Sequence, residues 1–220
     1  MKGVEEELIN KINPHCFRKP GIPLVYIATL KCASTYYSTL LLDNGWERIY
    51  FTDIDWTNDQ VFGFINDPDL RYFKGLSEDV LNAESEELES HILITLKNFN
   101  QHLGLFSFHT LPITTKLQSY ADKIDWIPIF DGFPHHKIFL ELLKLHNLTA
   151  EPGENLDPNV ATEYKKTHYE KFKKLTDKKG DLYKIFTAGN RELFNKVSSK
   201  INPNGATWQE ISWLKHKNSV

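Results

Sequence analysis

Lys31-Cys32-Ala33-Ser34-Thr35 sets one cation, two small residues and two hydroxyls in a single short stretch. The apolar run Pro23-Leu24-Val25-Tyr26-Ile27-Ala28 precedes it, and Tyr36, Tyr37, Leu40 and Leu41 follow at helical spacing. A loop that feeds a helix start offers unpaired backbone N–H groups and the positive end of the helix dipole, an arrangement that suits a phosphate-like anion. Ala33 lets the backbone approach a ligand, Ser34 and Thr35 supply hydroxyl donors, and Lys31 supplies a mobile positive charge. The same residues also fit an ordinary helix start with Ser34 as its cap, and spacing does not choose between the two. A nucleotide-kinase loop would read Gly-x-x-x-x-Gly-Lys-[Ser/Thr], with its lysine late. No such motif is present, and here the lysine leads the loop.

The elements around this loop point to an α/β fold. Leu24–Ala28 has the continuous apolar character of a strand buried on both faces of a parallel sheet. Asn44-Gly45 ends the helix that follows. Ile49–Phe51 reads as a short strand, Val61–Ile65 as a clear one stopped by Asn66-Asp67-Pro68, and residues 69–81 as a helix. Residues 84–103 carry Leu88, Ile92, Leu96 and Phe99 on one helical face. Leu105–Phe108 and Lys123–Ile129 are further strand candidates, and 135–146, 164–175 and 180–197 read as helices. Alternating strands and helices predict a three-layer domain with a mainly parallel central sheet. The domain is expected over 21–200, after an N-terminal helix or extension over 1–20 and before a weakly patterned tail over 201–220. In such sheets ligands bind beyond the carboxyl ends of the strands, so the loops after Ile27 and after Ile65 are candidate halves of one site.

Composition narrows the function. The chain has 220 residues, 40% hydrophobic and 25% charged, with a net charge of −3, which argues against a broad electrostatic grip on nucleic acid. Its two cysteines, Cys16 and Cys32, make neither a disulfide framework nor a zinc motif, and a reducing cytoplasm is the simplest expectation. The acidic stretch Met1–Asn10 lacks the pattern of a signal peptide, and no apolar run approaches the ~20 residues of a membrane span.

Leu30-Lys31-Cys32-Ala33-Ser34-Thr35 resembles the 5′-phosphosulfate loop of sulfotransferases, Pro-Lys-[Thr/Cys/Ser]-[Gly/Ala]-[Ser/Thr]-[Ser/Thr], with Leu30 where proline is usual. Asn66-Asp67-Pro68-Asp69-Leu70-Arg71-Tyr72-Phe73-Lys74 is similar to the family's second signature, Arg-[Asp/Asn]-Pro-x-x-Arg-x-x-Ser, with Asn66 for the first arginine and Lys74 for the serine. His109-Thr110-Leu111-Pro112 and the segment ending in Asp131 look like a block of the carbohydrate sulfotransferases. Asp181–Phe194 resembles the family's closing helix, so the resemblance spans residues 23 to 194, without a membrane anchor.

The resemblance implies a P-loop-like sulfotransferase fold. It also implies transfer of a sulfuryl group from 3′-phosphoadenosine 5′-phosphosulfate (PAPS) to a hydroxyl acceptor, with a carbohydrate as the expected partner. Adenosine 3′,5′-bisphosphate (PAP) would be the product, and no metal is implied. Lys31 would stabilise charge on the leaving phosphate oxygen, as in phosphoryl transfer. Cys32, Ala33, Ser34, Thr35 and Tyr36 would cradle the phosphosulfate. Arg71 would hold the 3′-phosphate, with Asn66 and Lys74 beside it and Lys74 restoring the charge lost at Asn66. His109 is the first candidate base, because imidazole titrates near neutrality. Asp53 and Asp55 are alternatives, with turn formation as their ordinary role. His135-His136 reads as a solvent-facing or capping pair, unsuited to joint metal ligation. The lysines of 165–179 read as a solvated face, or as a steering surface for an anionic polysaccharide. A non-catalytic binding protein that keeps the fold and an anion pocket is the competing expectation.

Overall fold

The computed structural model describes residues 15–80, 113–130, 132–152, 170, 174 and 181–199. Strands β1 (His15–Arg18), β2 (Leu24–Ala28), β3 (Glu47–Ile49), β4 (Gln60–Asn66) and β5 (Asp125–Ile129) form a five-stranded sheet in the order β3-β1-β2-β4-β5. Helices α1 (Ser34–Asp43), α2 (Pro68–Val80), α3 (Ile113–Leu117), α4 (His135–Leu145) and α5 (Asp181–Ser198) accompany it, with 3₁₀ turns at Phe51–Asp53 and Gln118–Lys123.

The fold is mixed α/β, and its sheet is less parallel than the sequence pattern predicts. β2–β4 and β4–β5 run parallel, whereas β1 pairs antiparallel with both β2 and β3. The difference lies in β1. His15-Cys16-Phe17-Arg18, which sits in the segment expected to be an N-terminal extension, is a strand inside the sheet. The four residues of β1 are too few to display a period, yet Cys16 and Phe17 are both buried. The expected strand at Ile49–Phe51 is displaced as well. β3 ends at Ile49, Tyr50 is exposed, and the buried Phe51 opens a 3₁₀ turn. α3 and the turn after it fall where no element is expected.

The two sheet faces carry different partners. Tyr26, Phe62 and Phe64 form an aromatic face against Tyr37 of α1 and Phe139 of α4, and Tyr37 stacks on Phe64 at 3.8 Å between centroids. On the other face, Gly63 faces Trp126, whose indole N–H donates to the Ala121 carbonyl at 2.8 Å. A Cβ at Gly63 would lie 2.9 Å from Trp126 Cζ3 and 3.1 Å from the Ile27 carbonyl oxygen, so this position needs glycine for close approach. The parallel strands therefore bring the carboxyl ends of β2, β4 and β5 to one edge, with α1, α2 and α4 starting beyond them.

Candidate anion site at the carboxyl edge of the sheet

Four consecutive residues after β2 are each tied to β4 or to the segment that follows it. Thr29 Oγ1 donates to the Phe64 carbonyl at 2.6 Å, and Arg71 Nε donates to the Leu30 carbonyl at 3.2 Å. Asn66 Nδ2 donates to the Lys31 carbonyl at 3.0 Å, and the Asn66 backbone N–H donates to Cys32 Sγ at 3.4 Å. A turn closes between Cys32 N–H and the Thr29 carbonyl at 3.2 Å. Lys31 and Ala33 adopt positive φ, 63° and 56°, although neither is glycine. Each such residue costs about 1–2 kcal/mol, and surrounding ties must hold it there.

Ala33 is the N-cap of α1, and no side chain caps that helix. Its first intrahelical bond runs from Tyr37 N–H to the Ala33 carbonyl, so the N–H groups of Ser34, Thr35 and Tyr36 precede the helical ladder. Ser34 is thus the first helical residue and not the cap. The neighbouring α2 is built differently. Asp67 Oδ1 accepts from the backbone N–H groups of Asp69 and Leu70, both at 3.0 Å, and Pro68 fills the first helical position. A carboxylate already occupies the start of α2, while the start of α1 presents backbone donors and the hydroxyls of Ser34 and Thr35.

The sequence reading pairs Lys31–Tyr36 with Asn66–Lys74, and the structure puts these segments side by side. Within them, Cys32, Asn66 and Arg71 are buried, Lys31, Ser34 and Tyr36 are half-buried, and Ala33, Thr35 and Lys74 are exposed. Asn66 ties the two loops together. Its Oδ1 is buried without a hydrogen-bond partner, and as an acceptor it calls for a donor such as a water or a ligand hydroxyl. Arg71, only 1% exposed, lies against the Leu30 carbonyl of the loop after β2. It shares a pocket with Ala28, Thr29, Leu30, Ile113, Lys116 and Leu117. Lys116, 6% exposed, is a second cation in that pocket. Sequence reasoning missed it, because a lysine beside Thr114, Thr115 and Leu117 carries no sign that it is buried. Burial, reinforced by the Arg71 guanidinium, pushes the Lys116 amine down to about 7, with Cys32 acting in the opposite sense. Burial also lowers Arg71, but from a range so high that it stays charged.

His109 and the His109–Pro112 block lie outside the described residues, as do Asp131 and most of the 165–179 lysine run. Asp55 organises a turn: its carboxylate accepts from Thr57 N–H, Asn58 N–H and Asn58 Nδ2, which holds it below the usual aspartate range. Asp53 Oδ2 accepts from the Tyr50 N–H at 2.9 Å. Both aspartates are thus engaged in local backbone structure. His135 and His136 do not simply face solvent. His136 packs on Tyr36 and Tyr37, His135 on Tyr37 and Phe64, and burial lowers the pKa of both.

Comparison of the chain with protein-family models, with curated proteins and with solved structures finds no match. Among the described residues, no helix is long and apolar enough to cross a membrane, and no cluster of three or more His, Cys, Asp or Glu side chains could hold a metal ion.

Proposed function

We propose that the chain is a sulfotransferase of P-loop-like fold that takes PAPS at the carboxyl edge of its sheet and sulfates a hydroxyl, with carbohydrate the expected acceptor class. The observation that supports this reading most is the juxtaposition of the two segments that resemble the family signatures. They follow neighbouring parallel strands, β2 and β4, and Asn66 and Arg71 of the second bond directly to Lys31 and Leu30 of the first.

The residues fit the phosphosulfate end well. The uncapped start of α1, the hydroxyls of Ser34 and Thr35 and the positive φ of Lys31 and Ala33 make a concave, donor-rich surface. Lys31 would set its ammonium against charge growing on the phosphate oxygen, and the N–H groups of Ser34 to Tyr36 would orient the group in line. The donor, when bound, supplies an activated sulfuryl group. The acceptor proton would pass to a base, for which His109 is the candidate. The 3′-phosphate end fits less simply, since Asn66 offers no positive charge and Arg71 is buried under the loop. Lys74, exposed one helical turn beyond Arg71, is the remaining cation of that signature.

Arg71's burial favours a second reading, an anion-binding protein without turnover. Two measurements on the full chain decide. Thermal-shift titration should show stabilisation by PAP well beyond that by ATP. Transfer of labelled sulfate from PAPS to a panel of sugars should then give product. No shift with the bisphosphate refutes the donor assignment, and a shift without transfer leaves the binding protein.

A further inference from the structure

Two helices that start at the carboxyl edge of the sheet touch at their first turns. Tyr36, the third residue of α1, meets His136, the second residue of α4, edge to face with ring centroids 5.9 Å apart. His136 also packs on Tyr37 and Phe139, with ring centroids at 6.1 and 6.0 Å. Helical side chains lean toward the N-terminus of their own helix, so the Tyr36–His136 contact lies beside the N–H groups of Ser34, Thr35 and Tyr36 that precede the α1 ladder. His136 is half-buried, and its two ring nitrogens differ. Nδ1 is sealed from solvent without a hydrogen-bond partner, so the exposed part of the ring carries Nε2. An imidazolium here has to leave its Nδ1–H unmatched among aromatic rings, and burial lowers the His136 pKa. A dianion within reach of Nε2 acts in the opposite sense, because it favours the charged ring.

We infer that His136 is a proton-linked contact of the anion site at the start of α1: its imidazolium binds an oxygen of the sulfate or phosphate group held there, and binding draws a proton from solvent onto the ring. The inference rests on that anion site and does not require sulfuryl transfer. The titratable groups facing His136 are Tyr36 and Tyr37 on α1 and His135 on α4. The sheet meets this pair with Phe64, against which His135 packs. Next along α4, Lys137 pairs with Glu141 at 3.7 Å, and the half-buried Lys31 is the cation of the loop before α1. Without an anion, His136 is neutral at neutral pH and offers the site no charge. With a dianion in place the ring keeps its proton to higher pH, so affinity rises on acidification through the range in which His136 titrates.

Sulfate is the probe, because it stays a dianion across the range tested. The histidine side chains of the full-length protein are titrated by nuclear magnetic resonance, in sodium sulfate and in chloride of matched ionic strength, and the His136 signal is identified by its loss in His136→Gln. Saturating sulfate should raise the His136 midpoint by about one pH unit. Wild type should then bind sulfate about fivefold more tightly at pH 5.5 than at pH 7.5, the part of a tenfold coupling that falls within this range. Lys116, whose amine titrates at about 7, changes charge in the same range, so the readout is the difference between wild type and His136→Gln. His136→Gln should bind sulfate within about twofold of wild type at pH 7.5 and lose the His136 share of the rise at pH 5.5. A His136 midpoint that sulfate does not move overturns the inference, as does a pH ratio in His136→Gln equal to that of wild type. Sulfate binding no stronger than that of chloride overturns it together with the anion site it rests on. PAP separates it from the sulfotransferase reading. A sulfate-shifted His136 with no response to PAP upholds the inference while that reading fails, and PAP binding with a His136 that neither ligand moves does the reverse.

Discussion

Replacing Ala33 by glycine should make the protein more stable, against the usual effect of adding a glycine. Ala33 sits at φ 56° and ψ 25°, in the left-handed region, at the N-cap of α1. A residue with a Cβ pays about 1–2 kcal/mol there. Glycine removes that cost but loses about 0.5–1 kcal/mol through its greater freedom in the unfolded chain. Ala33 is exposed and its side chain makes no capping bond, so little packing is lost on truncation. The balance is a gain of roughly 0.5–1 kcal/mol, and for a chain of this size a melting temperature higher by roughly 1–4 °C. Urea unfolding should show a higher midpoint at unchanged slope, the signature of a stability change alone. Ala33→Val provides the opposite arm, since a β-branched residue is a severe misfit at positive φ, and should lose at least about 1 kcal/mol. A destabilised Ala33→Gly, or a neutral Ala33→Val, would refute the left-handed geometry and with it the concave loop.

Gly63→Ala should cost about 1–3 kcal/mol, because its Cβ meets the Trp126 ring and the Ile27 carbonyl; near-ultraviolet circular dichroism of the Trp126 band and a denaturation curve check it. Lys74→Ala should leave stability within about 0.5 kcal/mol, as its side chain is exposed, while weakening PAP severalfold in calorimetry; equal affinity would remove Lys74 from the site. Asn66→Ala should instead act mainly on stability, losing about 1 kcal/mol with the bond to the Lys31 carbonyl, as a urea melt would show. Burial lowers the folded-state pKa of His15, His135, His136 and His146. Their neutral forms are favoured by folding, so this stability is fully present above about 6.5 and lost as pH falls through the folded values. Denaturation midpoints should drop between pH 7.5 and 5.5 and drop less in His146→Gln; a rise on acidification would contradict the buried imidazoles.

The parts of the fold that announced themselves did so through long or sharply punctuated patterns. Leu24–Ala28 is wholly buried, and its unbroken apolar run says so. Asn44-Gly45 ends α1 and Asp67-Pro68 starts α2, each by local backbone chemistry that needs no tertiary context. β1 and α3 were illegible because four or five residues cannot show a period and their burial comes from distant partners. The location of Lys31–Thr35 beside Asn66–Lys74 was readable from the order of strands and turns. Which way the cations point was not. Arginine and lysine read as surface residues in any pattern, yet Arg71 is buried against the Leu30 carbonyl and Lys116 of α3 is buried in the same pocket.

The ties on Thr29, Leu30, Lys31 and Cys32 have a kinetic consequence. A segment held at Thr29, Lys31 and Cys32 by β4 and at Leu30 by α2 has little freedom left to surrender if an anion arrives. Under the proposed function, binding at α1 would then be a docking onto a preorganised surface, without a closing motion in the rate law. Arrival should be as fast as diffusion and charge allow, and differences between ligands should show in how long each one stays.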